Sequence, residues 1–175
     1  MTTITHTGQF KRATSAHDHG HAQSGAKAGS HYKMLWVEVG LHFAIMYAVM
    51  YTMVWGFDDI YLNINNFYMT GMMVTPMIAL MVVTMRSMFP DKRTNLLLIG
   101  GSLILFGAFF AFMRLQTFVG DKSFITSMIP HHSGAILMCE RAQLSDPELK
   151  SLCEQIVSAQ MKEIDQLKSI LSRLD

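Results

Sequence analysis

Hydrophobicity along the chain rises and falls in a simple order: a polar opening, three apolar runs, then two amphipathic stretches. Residues 1–33 are polar and rich in Gly, Ala, Ser, Thr and His, and include His17-Asp18-His19-Gly20-His21. Low hydrophobicity predicts a disordered tail. Its histidines offer either a metal-capturing tract or simply solvated side chains. No short apolar segment with a small-residue cleavage site precedes the first run, so the tail does not read as a cleavable signal. The runs cover about 34–55, 67–89 and 96–118. Each is long enough, as a helix rising 1.5 Å per residue, to cross ~30 Å of hydrocarbon.

From residue 120 the pattern changes period. Phe124, Met128, His131, Ala135, Met138 and Ala142 recur at steps of four and three, which draws one stripe down a helix. His132 stands about 100° further round the same helix. Pro130 removes a backbone donor just before the pair, so the helix either kinks or restarts there. After the turn at Leu144–Pro147, Ser145 or Asp146 can cap a new helix, with Pro147 in its first turn and Glu148 completing a capping box. Leu149, Leu152, Ile156, Gln160, Glu163, Leu167, Ile170 and Leu174 make its stripe. A short turn forces the two helices antiparallel, and facing residues should have numbers summing to about 292. Cys139 then faces Cys153, and His131 and His132 face Gln160, Met161 and Glu163. The polar interruptions of both stripes fall at one level.

The predicted fold class is therefore all-α, with three transmembrane helices followed by an antiparallel helical hairpin. Its regions are a tail over 1–33, a membrane region over 34–119 and a hairpin over 120–175. No internal repeat is evident. Half the residues are apolar and the net charge is only +1. The basic residues do not cluster, so no nucleic-acid footprint is visible. Two cysteines make no disulfide scaffold and match no zinc spacing. Phe57–Asn66 holds two Asp, three Asn and no Lys or Arg, whereas Arg86, Lys92 and Arg93 fill the next connection and Lys27 and Lys33 precede the first run. The positive-inside rule then predicts a bacterial inner-membrane protein with its N-terminus in the cytoplasm and its hairpin in the periplasm, against the weaker vote of Arg114 and Lys122.

Methionine is unevenly shared. Met46, Met50, Met53, Met69, Met72, Met73, Met77, Met81, Met85 and Met88 are ten of the chain's sixteen, while the third run has only Met113. Glu38, His42, Met46 and Met50 stand at successive i+4 positions on the first run, and Met69, Met73, Met77, Met81 and Met85 do so on the second. Thioether and imidazole suit Cu(I) and Ag(I), although methionine also serves as an adaptable packing residue between helices. Glu38 and His42 are costly in lipid and should face protein or water. Gly100, Gly101, Gly107, Ala108 and Ala111 of the third run read as a surface for close helix approach.

One resemblance bears on the hairpin. The pattern carried by Asp121, Phe124, Met128, Ile129, His131, His132, Ala135, Ile136 and Met138, continued by Pro147, Glu148, Leu149, Lys150, Leu152, Ile156, Gln160, Glu163 and Ile164, resembles the family called domain of unknown function 305. The likeness covers 121–173. It implies a ferritin-like fold, of which this hairpin would be half a four-helix bundle, and copper or silver binding as in some secreted members. Such members carry two hairpins in tandem. This chain has one, and it departs from the family at Leu167, where methionine is frequent, and at Cys139 and Cys153, where alanine is usual. The two cysteines are expected to lie close, either as a disulfide in an oxidising periplasm or as two small buried thiols.

These readings converge on a membrane-anchored binder of copper, with Cu(I) favoured over Ag(I) or Cu(II). The candidate metal residues are His131 as the inward ligand, Met128 and Met138 as thioether donors, His132 turned toward a second metal or a neighbouring subunit, and Glu163 as the group that orients an imidazole. A Cu(I) transporter using the methionine ridges and a structural membrane oligomer are the alternatives. A ferritin-like oxidoreductase would need Glu-x-x-His, and residues 128 and 129 are Met and Ile, so an enzyme is not expected. Since two helices alone enclose no bundle core, a homodimer should supply the missing half.

Overall fold

Side-chain caps, more than apolarity, set where two of the three apolar helices begin. The computed structural model describes residues 18–174. α1 runs Asp18–Val49 and tightens into a 3₁₀ turn over Met50–Met53, with a second such turn at Phe57–Asp59. α2 (Ile64–Thr84) starts from Asn63, whose side chain accepts the Asn66 N–H at 2.8 Å. α3 (Lys92–Leu115) starts from Asp91, whose Oδ1 accepts the Arg93 N–H at 3.0 Å. Each cap satisfies a donor that the first turn leaves free. Polar residues such as Asn65, Asn66 and Asn95 therefore fall inside helices whose apolar runs start later.

Ser30–Met53, Ile64–Thr84 and Lys92–Leu115 are each long and apolar enough to cross a membrane. α4 (Asp121–Arg141) and α5 (Pro147–Leu174) form an antiparallel pair. The turn between them closes with Asp146 accepting the Leu149 N–H at 2.8 Å. The fold is thus all-helical among the described residues, three apolar helices followed by a hairpin. Of the tail expected to be disordered, residues 1–17, with His17, lie outside the described residues. From Asp18 the tail departs from that expectation, because its backbone is helical and continues into α1. Its Ala, Gln and Lys residues are adequate helix formers, and the apolar run gives them a helix to extend.

α2 is the middle of the apolar trio, packing on α1 at one side and α3 at the other. In its most apolar stretch 39% of residues are buried, against 6% in each of its neighbours. The buried face of α2 is Tyr68, Thr70, Gly71, Val74, Thr75, Ile78 and Val82. Its methionines flank that face, with Met73 exposed, so they do not form the central packing seam. Small residues do mediate close approach, but not those expected. A Cβ added to Gly71 would lie 2.5 Å from the Phe109 ring of α3, whereas Gly100, Gly101 and Gly107 have open space around them. The large ring on α3 needs a glycine opposite it, and α2 provides one.

The linker from α3 to α4 reverses direction through two residues of positive φ, Gln116 (50°) and Phe118 (61°). Tyr68 Oη pins it by donating to the Thr117 carbonyl at 2.7 Å. The hairpin thereby folds back onto the connection between α1 and α2. Its core is Ile125, Ile129, Ile136 and Ile164, with Tyr61 of that connection packed against it.

Candidate metal centre

α4 runs as one helix through Pro130, so of the two expected outcomes the restart does not occur at the histidine pair. Its buried face is Ile125, Ile129, His132, Ser133 and Ile136. That face lies one position round from the stripe anticipated through Phe124, Met128 and His131. Phe124 and Met138 are exposed, as is His131. The anticipated roles of the two histidines are therefore exchanged: His132 turns inward and is 7% exposed, and His131 turns out. The cause is that α4 is clasped from two sides, by α5 and by the α1–α2 connection, and the face between them is the one buried.

His132 Nε2 lies 2.7 Å from Glu163 Oε2 on α5. A carboxylate only accepts, so Nε2 carries the proton and Nδ1 of a neutral ring presents its lone pair. That Nδ1 is buried and has no hydrogen-bond partner, an unusual condition for a buried polar atom. A cavity of about 260 Å³ adjoins the ring, lined by Phe124, Met128, His132, Glu163, Gln166, Leu167 and Ile170. Of the anticipated residues the structure thus brings Met128, His132 and Glu163 together. It leaves His131 and Met138 outside this cavity, with the two imidazole centroids 6.2 Å apart. Among the described residues no group of three or more His, Cys, Asp or Glu converges. The soft donor types among the side chains lining it are one imidazole and one thioether, a sparse set.

A second polar cluster beside this cavity escaped sequence reasoning. Ser133 Oγ accepts the Trp55 N–H at 2.8 Å and donates to Asp59 Oδ2 at 2.6 Å. The other oxygen of Asp59 accepts from Lys168 Nζ at 2.7 Å. The Asp59 hydrogen bond holds the Lys168 ammonium above its ordinary range. Arg141 lies over the Trp55 ring at 5.5 Å. A Cβ on Gly134 would stand 3.2 Å from the Met53 carbonyl, so α4 lies directly on the 3₁₀ turn that follows α1. The only local hint was an acidic connection without cations. Its partners sit 74 and 109 residues away.

At the turn end, Cys139 and Cys153 form a disulfide with Cα atoms 5.3 Å apart. The pair agrees with the register derived from the turn, and of the two forms left open it takes the bonded one.

A family model described as Domain of unknown function (DUF305) matches residues 111–171. The chain is also 36% identical over 115 residues to an uncharacterized protein of Acanthamoeba polyphaga mimivirus, an alignment that covers 65% of this chain and 74% of that protein. No solved structure matches the chain significantly.

Proposed function

The chain belongs to the family described as Domain of unknown function (DUF305), and on that premise we propose that it is a membrane-anchored copper-binding protein. In this reading the hairpin faces the periplasm of a bacterium and captures Cu(I), with Ag(I) as its analogue, for metal homeostasis or resistance. One observation carries it: His132 offers a buried Nδ1 without a partner, while Glu163 holds the opposite nitrogen. A carboxylate on the far side of an imidazole fixes the tautomer and raises the basicity of the ligating nitrogen. Met128 lines the cavity beside that ring and brings a thioether, a donor that suits a soft cation. A bound metal would contribute only its affinity for these donors. The chain contributes their orientation and the apolar lining of Leu167 and Ile170.

Two features support the compartment. Cations flank the connection opposite the hairpin, and disulfides persist in oxidising compartments. The reading retains a homodimer. Leu149, Leu152, Met138 and Met161 stay exposed on the hairpin, and the outward His131, rather than His132, is the one a second copy can reach.

Competition of the detergent-solubilised protein with a chromophoric Cu(I) chelator tests the reading. His132→Ala should weaken Cu(I) binding the most, and Glu163→Gln by about 10-fold to 100-fold, as for groups that orient a ligand. Met138→Leu should change little. Wild-type affinity in His132→Ala would remove the basis of the proposal.

A further inference from the structure

α1 packs on α2 through Leu35, Val39, Phe43 and Tyr47. Glu38, His42 and Met46 each stand one position before a member of that seam, about 100° round the helix. They are half-buried at its edge. His42 falls at the middle of Ser30–Met53, with about 17 Å of helix on either side at 1.5 Å per residue. Neither Glu38 nor His42 has a hydrogen-bond or ion-pair partner among the described residues. An unpaired carboxylate and imidazole at that depth are expensive and call for a ligand or a counter-charge.

The far end of the row adds an independent observation. Met50 opens the 3₁₀ turn Met50–Met53, and α4 rests on that turn through Gly134, with Ser133 holding the N–H of Trp55, two residues past it. The row therefore ends beneath the stretch of α4 that carries both histidines.

We infer that the α1 row is a second soft-cation site, in which His42 and Met46 hold a monovalent Cu(I) or Ag(I) ion inside the span and Met50 links it to the hairpin. Residues four apart on a helix have Cβ atoms about 5–6 Å apart and meet on one face. A neutral imidazole and a thioether leave the ion's charge uncompensated, and Glu38, one turn on, offsets it. Carboxylate and cation each solve the burial problem of the other. The inference takes its metal class from the proposed function but stands on different residues, and it turns capture at the hairpin into the first of two stations.

The test titrates Cu(I) alone into the full chain in lipid nanodiscs, against a chromophoric chelator, with helicity and elution volume as checks on folding. One variant disables the hairpin (Met128→Leu with His132→Ala) and another the row (His42→Leu with Met46→Leu). Each should lose about one equivalent of Cu(I) per chain, as expected for separate sites of like donors. Met46→Leu alone, a swap the span should tolerate, should weaken the row site at least tenfold, and so should Glu38→Gln. Wild-type stoichiometry in the row variant overturns the inference. Wild-type stoichiometry in the hairpin variant alone would instead sink the hairpin reading and leave the row standing.

Discussion

In the hairpin and the connection beneath it, the buried polar side chains Asp59, Asn63, His132 and Ser133 all hold hydrogen bonds. Along α1, Glu38 and His42 hold none among the described residues. The hairpin region uses its polar groups to fix one docking geometry and leaves a single nitrogen to spare. The apolar trio packs by shape, around α2, and leaves its costly groups at an edge. Stability and ligand capacity are thus separated differently in the two regions, and substitutions should affect one without the other.

The largest effect is expected at Asp59. Asp59→Ala strands Ser133 and Lys168 at once and should weaken hairpin docking by about 3 kcal/mol, the scale of charged hydrogen bonds lost from a largely buried site. Hydrogen exchange should quicken in α4 and residues 50–63 while the α2–α3 amides stay protected. Equal loss in both regions would show that they are one cooperative unit. Next comes the disulfide. Its cysteines are 14 residues apart, so Cys139→Ser with Cys153→Ser should cost the hairpin about 3 kcal/mol through the freed unfolded state. Thermal melts with and without reductant would read this, and a matching wild-type melt under reductant is expected.

Gly71→Ala strikes the other region. Its new methyl meets the Phe109 ring, and overpacking of this kind costs about 1–3 kcal/mol. Phe109→Leu should restore part of the loss, while the exchange of α4 and α5 stays at wild type. The smallest effect is the pH dependence of docking. The folded Lys168 is held above its ordinary value of 10.5, chiefly by its hydrogen bond to Asp59. Its contribution is complete below 10.5 and is lost as pH rises through the elevated folded value. Since Lys168 is partly exposed, the loss should stay under about 1 kcal/mol. Lys168→Met should abolish that alkaline step.

The two regions also differed in how far their sequence spoke for them. Helices and hairpin register are set by local periodicity and a short turn, and the facing of Cys139 and Cys153 followed from that register, while the bond between them did not. The buried face of α4 did not. The stripes through Phe124–Met128 and Ile125–Ile129 are both apolar, so periodicity cannot rank them. Ser133 decides, by bonding to a connection 74 residues earlier, and no window along the chain contains both. Likewise Gly100 and Gly101 carry the composition of a close contact, but the contact forms at Gly71, because Phe109 lies across from it.

Asp59 also orders events in time. Its partners lie 74 and 109 residues downstream, and chains are made N-terminus first at about 5–20 residues per second. The connection between α1 and α2 must therefore wait, its carboxylate solvated, until α3 and α5 have been made. Of the two partners Lys168 emerges second, so the ion pair closes only after α5 has been made. A ribosome stalled before it would leave α1 and α2 paired and their connection open, and protease cutting at Phe57–Ile60 in such stalled chains, with resistance after release, would report the order directly.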